Sequence, residues 1–193
     1  MTRILMVDNY DSFTYNLVQL IMSNNVCIDL VVTRNDHVTL RQIYDLSPNG
    51  IVISPGPGAP QNAGFSKSII KEFYSKVPIL GVCLGMQCIN EAFGGETRES
   101  DLPIHGKTCL VFHNQKNLFL NLPNPLRVAR YHSLIVDNIP SCLEIDGFAE
   151  QSNIPMAFHH EKYPVFGVQF HPESFLTERG EILIKNFLSF LFP

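Results

Sequence analysis

Hydrophobic and polar positions change in blocks along the first half of the chain, and these blocks predict alternating strands and helices. Short apolar runs that stop at polar residues predict buried strands at 3–8, 26–32, 50–54 and 77–82. Phe13, Leu17, Leu20 and Ile21 are spaced to form one apolar helix face. Helices are accordingly predicted over 12–23, 39–46, 65–74 and 84–93, with Asp11 or Ser12 able to cap the first.

The second half has a different pattern, in which short strands are separated by turn residues. The predicted strands are 107–112, 126–131, 143–150, 156–160 and 165–170, and a final helix covers about 177–191. Four strand–helix alternations predict parallel strands with helices on both faces. We therefore expect an α/β fold, with a mixed, mostly parallel central sheet of the flavodoxin-like kind.

Length, charge and cysteine usage narrow the class of protein. The 193 residues fit a single domain, 1–193, and no apolar run approaches the roughly 18 residues of a membrane span. The net charge is −4 without a basic run, which argues against nucleic acid or an anionic membrane as partner. The first residues turn polar after Val7, unlike a signal peptide. Five cysteines without CxxC spacing argue against disulfides and zinc, so we expect a cytoplasmic protein without a metal site.

One cysteine lies where a strand passes directly into a helix. The stretch "GVCLG" (81–85) places Cys83 between glycines, as G-x-S-x-G does for the serine of hydrolases. The N-terminus of the next helix favours a thiolate, and the Leu84 N–H could contribute to an oxyanion hole. The pentapeptide alone is equally compatible with a buried cysteine in an ordinary turn.

A base and its orienting acid are available near the last strand. His171 follows "VFGVQF", and Glu173 lies two residues further on, so a Cys–His–Glu triad is possible. A loop histidine beside a solvated glutamate is the alternative interpretation. The stretch "SPGPGAP" (54–60) is a rigid loop at the end of a strand and can offer backbone N–H groups to a ligand, or it is merely a turn.

These three stretches together resemble the class I (triad) glutamine amidotransferases. The motifs are "SPGPGAP", "GVCLGMQ" and "GVQFHPES". More narrowly, "VDNYDSFTYNL" (7–17), "HGK" (105–107) and "RYHSL" (130–134) resemble the small subunits, or component II, of anthranilate synthase and aminodeoxychorismate synthase. The sequence departs from this family around 113–122 and after "GAP" (58–60), and neither departure touches the proposed triad.

The resemblance implies roles for individual residues. Cys83 would be the nucleophile, His171 the base and Glu173 its orienting group, while Gly58 and Leu84 would supply oxyanion-hole N–H groups. The residues implied for the glutamine pocket are Gly56, Pro57, Gly58, Leu84, Gln87, Ser133 and Leu134. The implied activity is hydrolysis of L-glutamine through a thioester, with ammonia passed to a chorismate-binding synthase subunit. No cofactor is implied for this chain, and Mg²⁺ is expected in the partner subunit.

Two other interpretations stay open from sequence. The chain could be another thiol hydrolase of similar fold, such as a γ-glutamyl hydrolase or a peptidase. It could also be a non-catalytic binding module with a degenerate site. The choice between the tryptophan and folate pathways is not determined by these motifs.

Overall fold

A computed structural model describes residues 1–24, 27–100, 106–150 and 152–192, so His105 of the "HGK" stretch lies outside the described residues. Its centre is a nine-stranded sheet in the order β2-β1-β3-β4-β11-β10-β9-β6-β7. The first five strands in this order, more than half of the sheet, run parallel to one another. These strands are β1 (Thr2–Asp8), β2 (Ile28–Arg34), β3 (Gly50–Ile53), β4 (Ile79–Val82) and β11 (Val165–Val168). The predicted mixed, mostly parallel sheet is confirmed.

The parallel strands are buried on both faces because helices cover both sides. Along β1, Ile4 and Met6 pack into one apolar cluster while Leu5 and Val7 pack into the other. The first cluster is covered by α1 (Thr14–Met22) and α5 (Gly180–Ser189). The second is covered by α2 (Leu40–Leu46), α3 (Ser66–Phe73) and α4 (Leu84–Ala92). Two-sided burial explains why these strands appear as continuous apolar runs in the sequence.

The other half of the sheet is antiparallel and comes from the second half of the chain. It consists of β6 (Lys107–His113), β7 (Leu126–Arg130), β9 (Leu143–Ala149) and β10 (Pro155–His160). A separate pair, β5 (Glu96–Glu99) with β8 (Leu134–Asp137), was not predicted. Strand β5 reads Glu-Thr-Arg-Glu and is largely exposed, so it carries no apolar alternation that a sequence pattern could reveal.

The segment 113–122, where the sequence departs from the family, is a well-packed loop. It contains a 3₁₀ turn, Asn117–Phe119, and the Phe119 ring stacks on His113 with centroids 4.5 Å apart. The Asn186 amide of α5 donates 2.8 Å hydrogen bonds to the carbonyls of Leu118 and Leu120. The loop is therefore fixed against α5.

The loops that follow β1, β2 and β3 are joined by a buried polar network around Asn9. The Asn9 side chain donates to the Ser54 carbonyl (2.8 Å) and accepts from Asn35 (2.9 Å) and from the Ser66 hydroxyl (2.9 Å). Here the chain runs from β1 outward to β2 and then back to β3, and ligands of open α/β sheets bind at such a reversal. The network thus holds rigid the loops that border the carboxyl edge of the sheet.

Helix α1 begins later than the sequence predicts, and neither Asp11 nor Ser12 caps it. The N-cap residue is Phe13, and no side chain caps the helix. The Asp11 carboxylate instead accepts the Phe13 N–H (2.7 Å), while Asp8 accepts the Thr14 hydroxyl (2.8 Å). The acidic residues therefore order the loop before the helix. Within the described residues, no helix is long and apolar enough to cross a membrane.

Candidate active site

Cys83 occupies a sharp turn between β4 and α4. Its backbone angles, φ 53° and ψ −106°, lie in a region that residues with a Cβ rarely adopt. The turn closes tightly, because a Cβ on Gly81 would lie 2.5 Å from the Gly85 carbonyl, and one on Gly85 would lie 2.4 Å from the Ile53 carbonyl oxygen. The glycines on either side therefore let a strand, a helix and a neighbouring strand meet at the cysteine. The elbow interpretation of "GVCLG" describes this geometry better than an ordinary turn does.

His171 and Glu173 lie together at the end of β11, which is the next strand to β4 in the sheet. The Nδ1 of His171 lies 2.7 Å from Glu173 Oε1, and the Glu173 side chain is fully buried. A buried carboxylate at Nδ1 places the proton of a neutral imidazole there, and Nε2 then becomes the basic nitrogen. Among the described residues, His171 Nε2 is buried without a geometrically defined hydrogen bond.

The charge state of His171 depends on the cysteine. Burial disfavours the charged imidazole, but the interactions with the Cys83 sulfur and the Glu173 carboxylate outweigh burial and raise the pKa of His171 to about 10. Imidazole and thiol therefore form a thiolate–imidazolium pair at neutral pH. In contrast, burial raises the pKa of the Cys88 thiol, which lies further along α4, to about 12 and leaves it unreactive.

The cysteine and histidine open into a cavity of about 590 Å³. All of the sequence-predicted pocket residues line it: Gly56, Pro57, Gly58, Leu84, Gln87, Ser133 and Leu134. Leu84 is the first residue of α4, so its N–H has no intrahelical acceptor and is available to a ligand. The structure thus places every predicted site residue but Glu173 on the cavity wall, with Glu173 buried behind His171.

Aromatic residues that the sequence analysis did not assign to the site surround the imidazole. Tyr131 meets the His171 ring edge-on, with centroids 5.0 Å apart, and Phe13 stacks on Tyr131 at 5.7 Å. The Tyr131 hydroxyl in turn lies 3.1 Å from the Ser174 hydroxyl. Both aromatic residues belong to quoted motifs, "VDNYDSFTYNL" and "RYHSL", but only the fold shows that these motifs meet around His171.

His132, the other histidine of the cavity wall, is not a second base. Its Nδ1 donates to the Leu134 carbonyl (2.9 Å), and its Nε2 accepts from the Arg130 guanidinium (3.0 Å). A nitrogen that accepts from arginine carries no proton, so this imidazole is neutral. Gln169, a fully buried amide beside Cys83, is a further residue that sequence analysis missed. A glutamine within an otherwise apolar strand end was the signal available for it.

The fold and the site define a class of protein, and comparison with known families agrees. Residues 5–190 match the model of the family described as glutamine amidotransferase class-I. The chain therefore belongs to the class I glutamine amidotransferases.

Two curated relatives and one solved structure illustrate the similarity. The bifunctional protein TrpGD of Thermotoga maritima is 48% identical over 189 residues, which are 97% of this chain but 32% of that protein. The aminodeoxychorismate/anthranilate synthase component 2 of Bacillus subtilis is 48% identical over 187 residues, covering 96% of this chain and 95% of that protein. The fold matches a GMP synthase protein of Thermoplasma acidophilum, with a TM-score of 0.88, 24% identity, and coverage of 99% of this chain and 94% of that one.

Proposed function

We propose that this chain is a glutaminase subunit that hydrolyses L-glutamine at Cys83 and delivers the ammonia to a chorismate-using synthase subunit. The observation that carries the proposal is the elbow thiol paired with a buried His171–Glu173 dyad inside one cavity. The similarity to component 2 proteins of anthranilate and aminodeoxychorismate synthases supports the choice of substrate and partner.

Acylation begins from the thiolate–imidazolium pair. The Cys83 thiolate attacks the side-chain carboxamide carbon of glutamine, and the carbonyl electron pair moves onto oxygen. The N–H groups of Leu84 and Gly58, both on the cavity wall, are the proposed donors to this oxyanion. His171 then gives its proton to the departing nitrogen, the C–N bond breaks, and ammonia leaves a γ-glutamyl thioester on Cys83.

Deacylation uses the same imidazole as a base. Once Cys83 is a thioester, the sulfur carries no charge, and a major interaction that raises the His171 pKa is lost. The neutral imidazole can therefore take a proton from water, whose oxygen attacks the thioester carbon. Collapse of this intermediate breaks the C–S bond, returns the Cys83 thiolate and releases glutamate. Glu173 holds the imidazole in the required orientation throughout.

The glutamine pocket is formed by three segments of the chain. The rigid loop with Gly56, Pro57 and Gly58 forms one part of the wall, and the first turns of α4 with Leu84 and Gln87 form another. Ser133 and Leu134 close the cavity from the second half of the chain. We infer that the backbone groups of Ser133 and Leu134 and the Gln87 amide recognise the polar ends of the substrate.

Ammonia must leave without being lost to water, where it would be protonated and no longer nucleophilic. We infer that a synthase subunit, holding chorismate and Mg²⁺, covers the mouth of the cavity. Beside that mouth, Phe175 follows the triad by two residues and is 92% exposed, and Tyr15 is 62% exposed. Large exposed aromatic residues of this kind are enriched at protein interfaces. This site needs no metal in the chain itself, because the nucleophile is a thiolate.

The test separates glutamine hydrolysis from synthesis. In the complex with its synthase subunit, Cys83→Ala should abolish glutamine-dependent synthesis and leave ammonia-dependent synthesis intact. Steady-state product formation with each nitrogen source measures both, and free glutamine against a γ-glutamyl peptide distinguishes an amidotransferase from a γ-glutamyl hydrolase. Equal loss of both synthetic activities would show instead that Cys83 serves folding or assembly.

A further inference from the structure

We propose that the side-chain amide of Gln169 donates a hydrogen bond to the Cys83 thiolate, and that a directed chain of hydrogen bonds from the glutamine pocket holds this donor in place. The inference rests on the proposed function, because it assigns a further group to the same nucleophile. It adds a contact to the reacting sulfur from a residue outside the triad.

Gln169 reaches the sulfur because β11 and β4 lie side by side. Val168 pairs with Val82, and the Cys83 N–H donates to the Val168 carbonyl at 2.8 Å. The next residue, Gln169, is fully buried, and its Nε2 lies 3.5 Å from Cys83 Sγ, a normal N–H···S distance. The sheet register therefore delivers a buried amide to the nucleophile.

The direction of this hydrogen bond is fixed from the far side of the pocket. Gln87 donates through its Nε2 to the Leu134 backbone carbonyl (3.2 Å), which can only accept. The same Nε2 donates to Gln169 Oε1 (3.2 Å), so the oxygen of the Gln169 amide faces Gln87. The Nε2 of Gln169 must then face Cys83. Because both N–H groups of Gln87 are used in this way, its own carbonyl oxygen is left for the substrate.

The Leu134 carbonyl is itself held by a second donor. His132 Nδ1 donates to it at 2.9 Å, and His132 receives the Arg130 Nε–H at 3.0 Å. A continuous path of hydrogen bonds therefore joins β7 and β8 to the sulfur. Two of the residues on this path, Gln87 and Leu134, line the substrate cavity, so the shape of the pocket and the environment of the thiolate are mechanically linked.

The consequence is stabilisation of negative charge on sulfur by a neutral donor. A hydrogen bond to a charged group is worth a factor of about ten or more in an equilibrium. The imidazolium of His171 gives up its proton during the cycle, whereas the Gln169 amide does not change its charge. Gln169 thus supports the thiolate both before attack and when it is regenerated.

Alkylation of Cys83 tests the proposal without glutamine. In the intact chain, the rate of modification by iodoacetamide is followed on the Cys83 peptide by mass spectrometry at about pH 7 and about pH 9.5, on either side of the usual thiol pKa. The Gln169→Leu variant should react about tenfold more slowly at the lower pH and approach the wild-type rate at the higher pH. Gln169→Glu should be slower still at the lower pH, since it places a carboxylate beside the thiolate.

Matched variants separate a role at the sulfur from a role in packing. Gln19→Leu, on the exposed face of α1, should leave the alkylation profile unchanged. Gln87→Leu should reproduce part of the effect, because it removes the group that fixes the Gln169 amide. In the complex, Gln169→Leu should lower kcat for glutamine more than it raises KM. A folded Gln169→Leu protein with the wild-type alkylation profile would overturn the proposal.

Failure of this proposal and failure of the proposed function give different results. If the wild-type complex used no glutamine, the glutaminase assignment would fail, yet the alkylation profiles would still decide whether Gln169 supports the thiolate. If Gln169→Leu does not fold, the Gln169→Glu and Gln87→Leu profiles decide the question, and wild-type behaviour in both contradicts it.

Discussion

At the residue scale, the site depends on a cysteine held in a costly conformation. A residue with a Cβ at φ 53° and ψ −106° is destabilised by about 1–3 kcal/mol relative to an ordinary turn. The strain places the sulfur above the edge of the sheet, where the N-terminus of α4, His171 and Gln169 can all act on it. No single contact produces the reactive thiolate.

The coupling between Cys83 and His171 predicts a change in the titration of the imidazole. In the wild type, the raised His171 pKa keeps the ring protonated as the pH rises from its ordinary value of about 6.5 toward about 10. Cys83→Ala removes a major raising interaction and leaves burial, which lowers the pKa, opposed by Glu173. We therefore expect the His171 pKa to fall in this variant, so that the ring loses its proton at lower pH.

NMR titration of the imidazole signals measures this shift. His37, which is exposed, provides an internal reference whose titration should not respond to Cys83→Ala. An unchanged His171 titration in the folded variant would show that the sulfur does not hold the imidazolium.

At the scale of elements, the elbow exists because β3, β4 and α4 approach more closely than side chains normally allow. Gly85 sits in the first turn of α4 against the Ile53 carbonyl of β3. Glycine is there for space, since its backbone conformation within the helix is one that any residue can adopt. Alanine, normally the better helix former by about 1 kcal/mol, has no room.

We expect Gly85→Ala to destabilise the protein by about 1–3 kcal/mol, opposite in sign to the helix-propensity scale. Urea unfolding measures the free energy, and Cys83 alkylation reports whether the elbow has moved. Ser68→Ala, at an exposed position of α3, is the matched control and should be neutral or slightly stabilising. A stabilised Gly85→Ala protein would contradict the close approach at this contact.

At the scale of the whole molecule, the two halves of the chain have separate tasks. The parallel half supplies the elbow and the rigid loop, while the antiparallel half, with β8, brings Tyr131, Ser133 and Leu134 to the opposite wall of the cavity. A partner that contacts both halves at the mouth could shift the oxyanion donors, and loss of one such donor costs about 10²–10³ in rate. We therefore expect the isolated chain to hydrolyse glutamine slowly and to be activated by the synthase subunit.

The exposed Phe175 offers a specific test of this coupling. Phe175→Ser should weaken binding of the synthase subunit by about tenfold, as for an aromatic interface residue, without changing the basal glutaminase rate. Phe112→Ser, at a half-exposed position on β6, is the control and should bind the synthase subunit normally. Binding is measured by following glutaminase activity while the synthase subunit is titrated in. An identical titration for Phe175→Ser would exclude Phe175 from the interface.

The sequence by itself determined the elements whose pattern is strong and the residues whose chemistry is fixed by local order. The buried parallel strands are short apolar runs, and the helices between them show an apolar face, so the α/β half could be predicted to within a few residues. Strand β5 could not, because its exposed polar residues carry no periodicity. Cys83, His171 and Glu173 were found because each lies at a recognisable strand end, within a few residues of the turn that presents it.

The tertiary structure alone decided which groups meet across distant segments. Gln169 and Gln87 are 82 residues apart, and only the register of β11 beside β4 brings their amides together and directs one of them at the sulfur. Phe13 and Tyr131 come to His171 from opposite halves of the chain in the same way. A local pattern records the φ and ψ preferences and burial of single segments. Contacts among segments depend on strand order and register, which no local pattern contains.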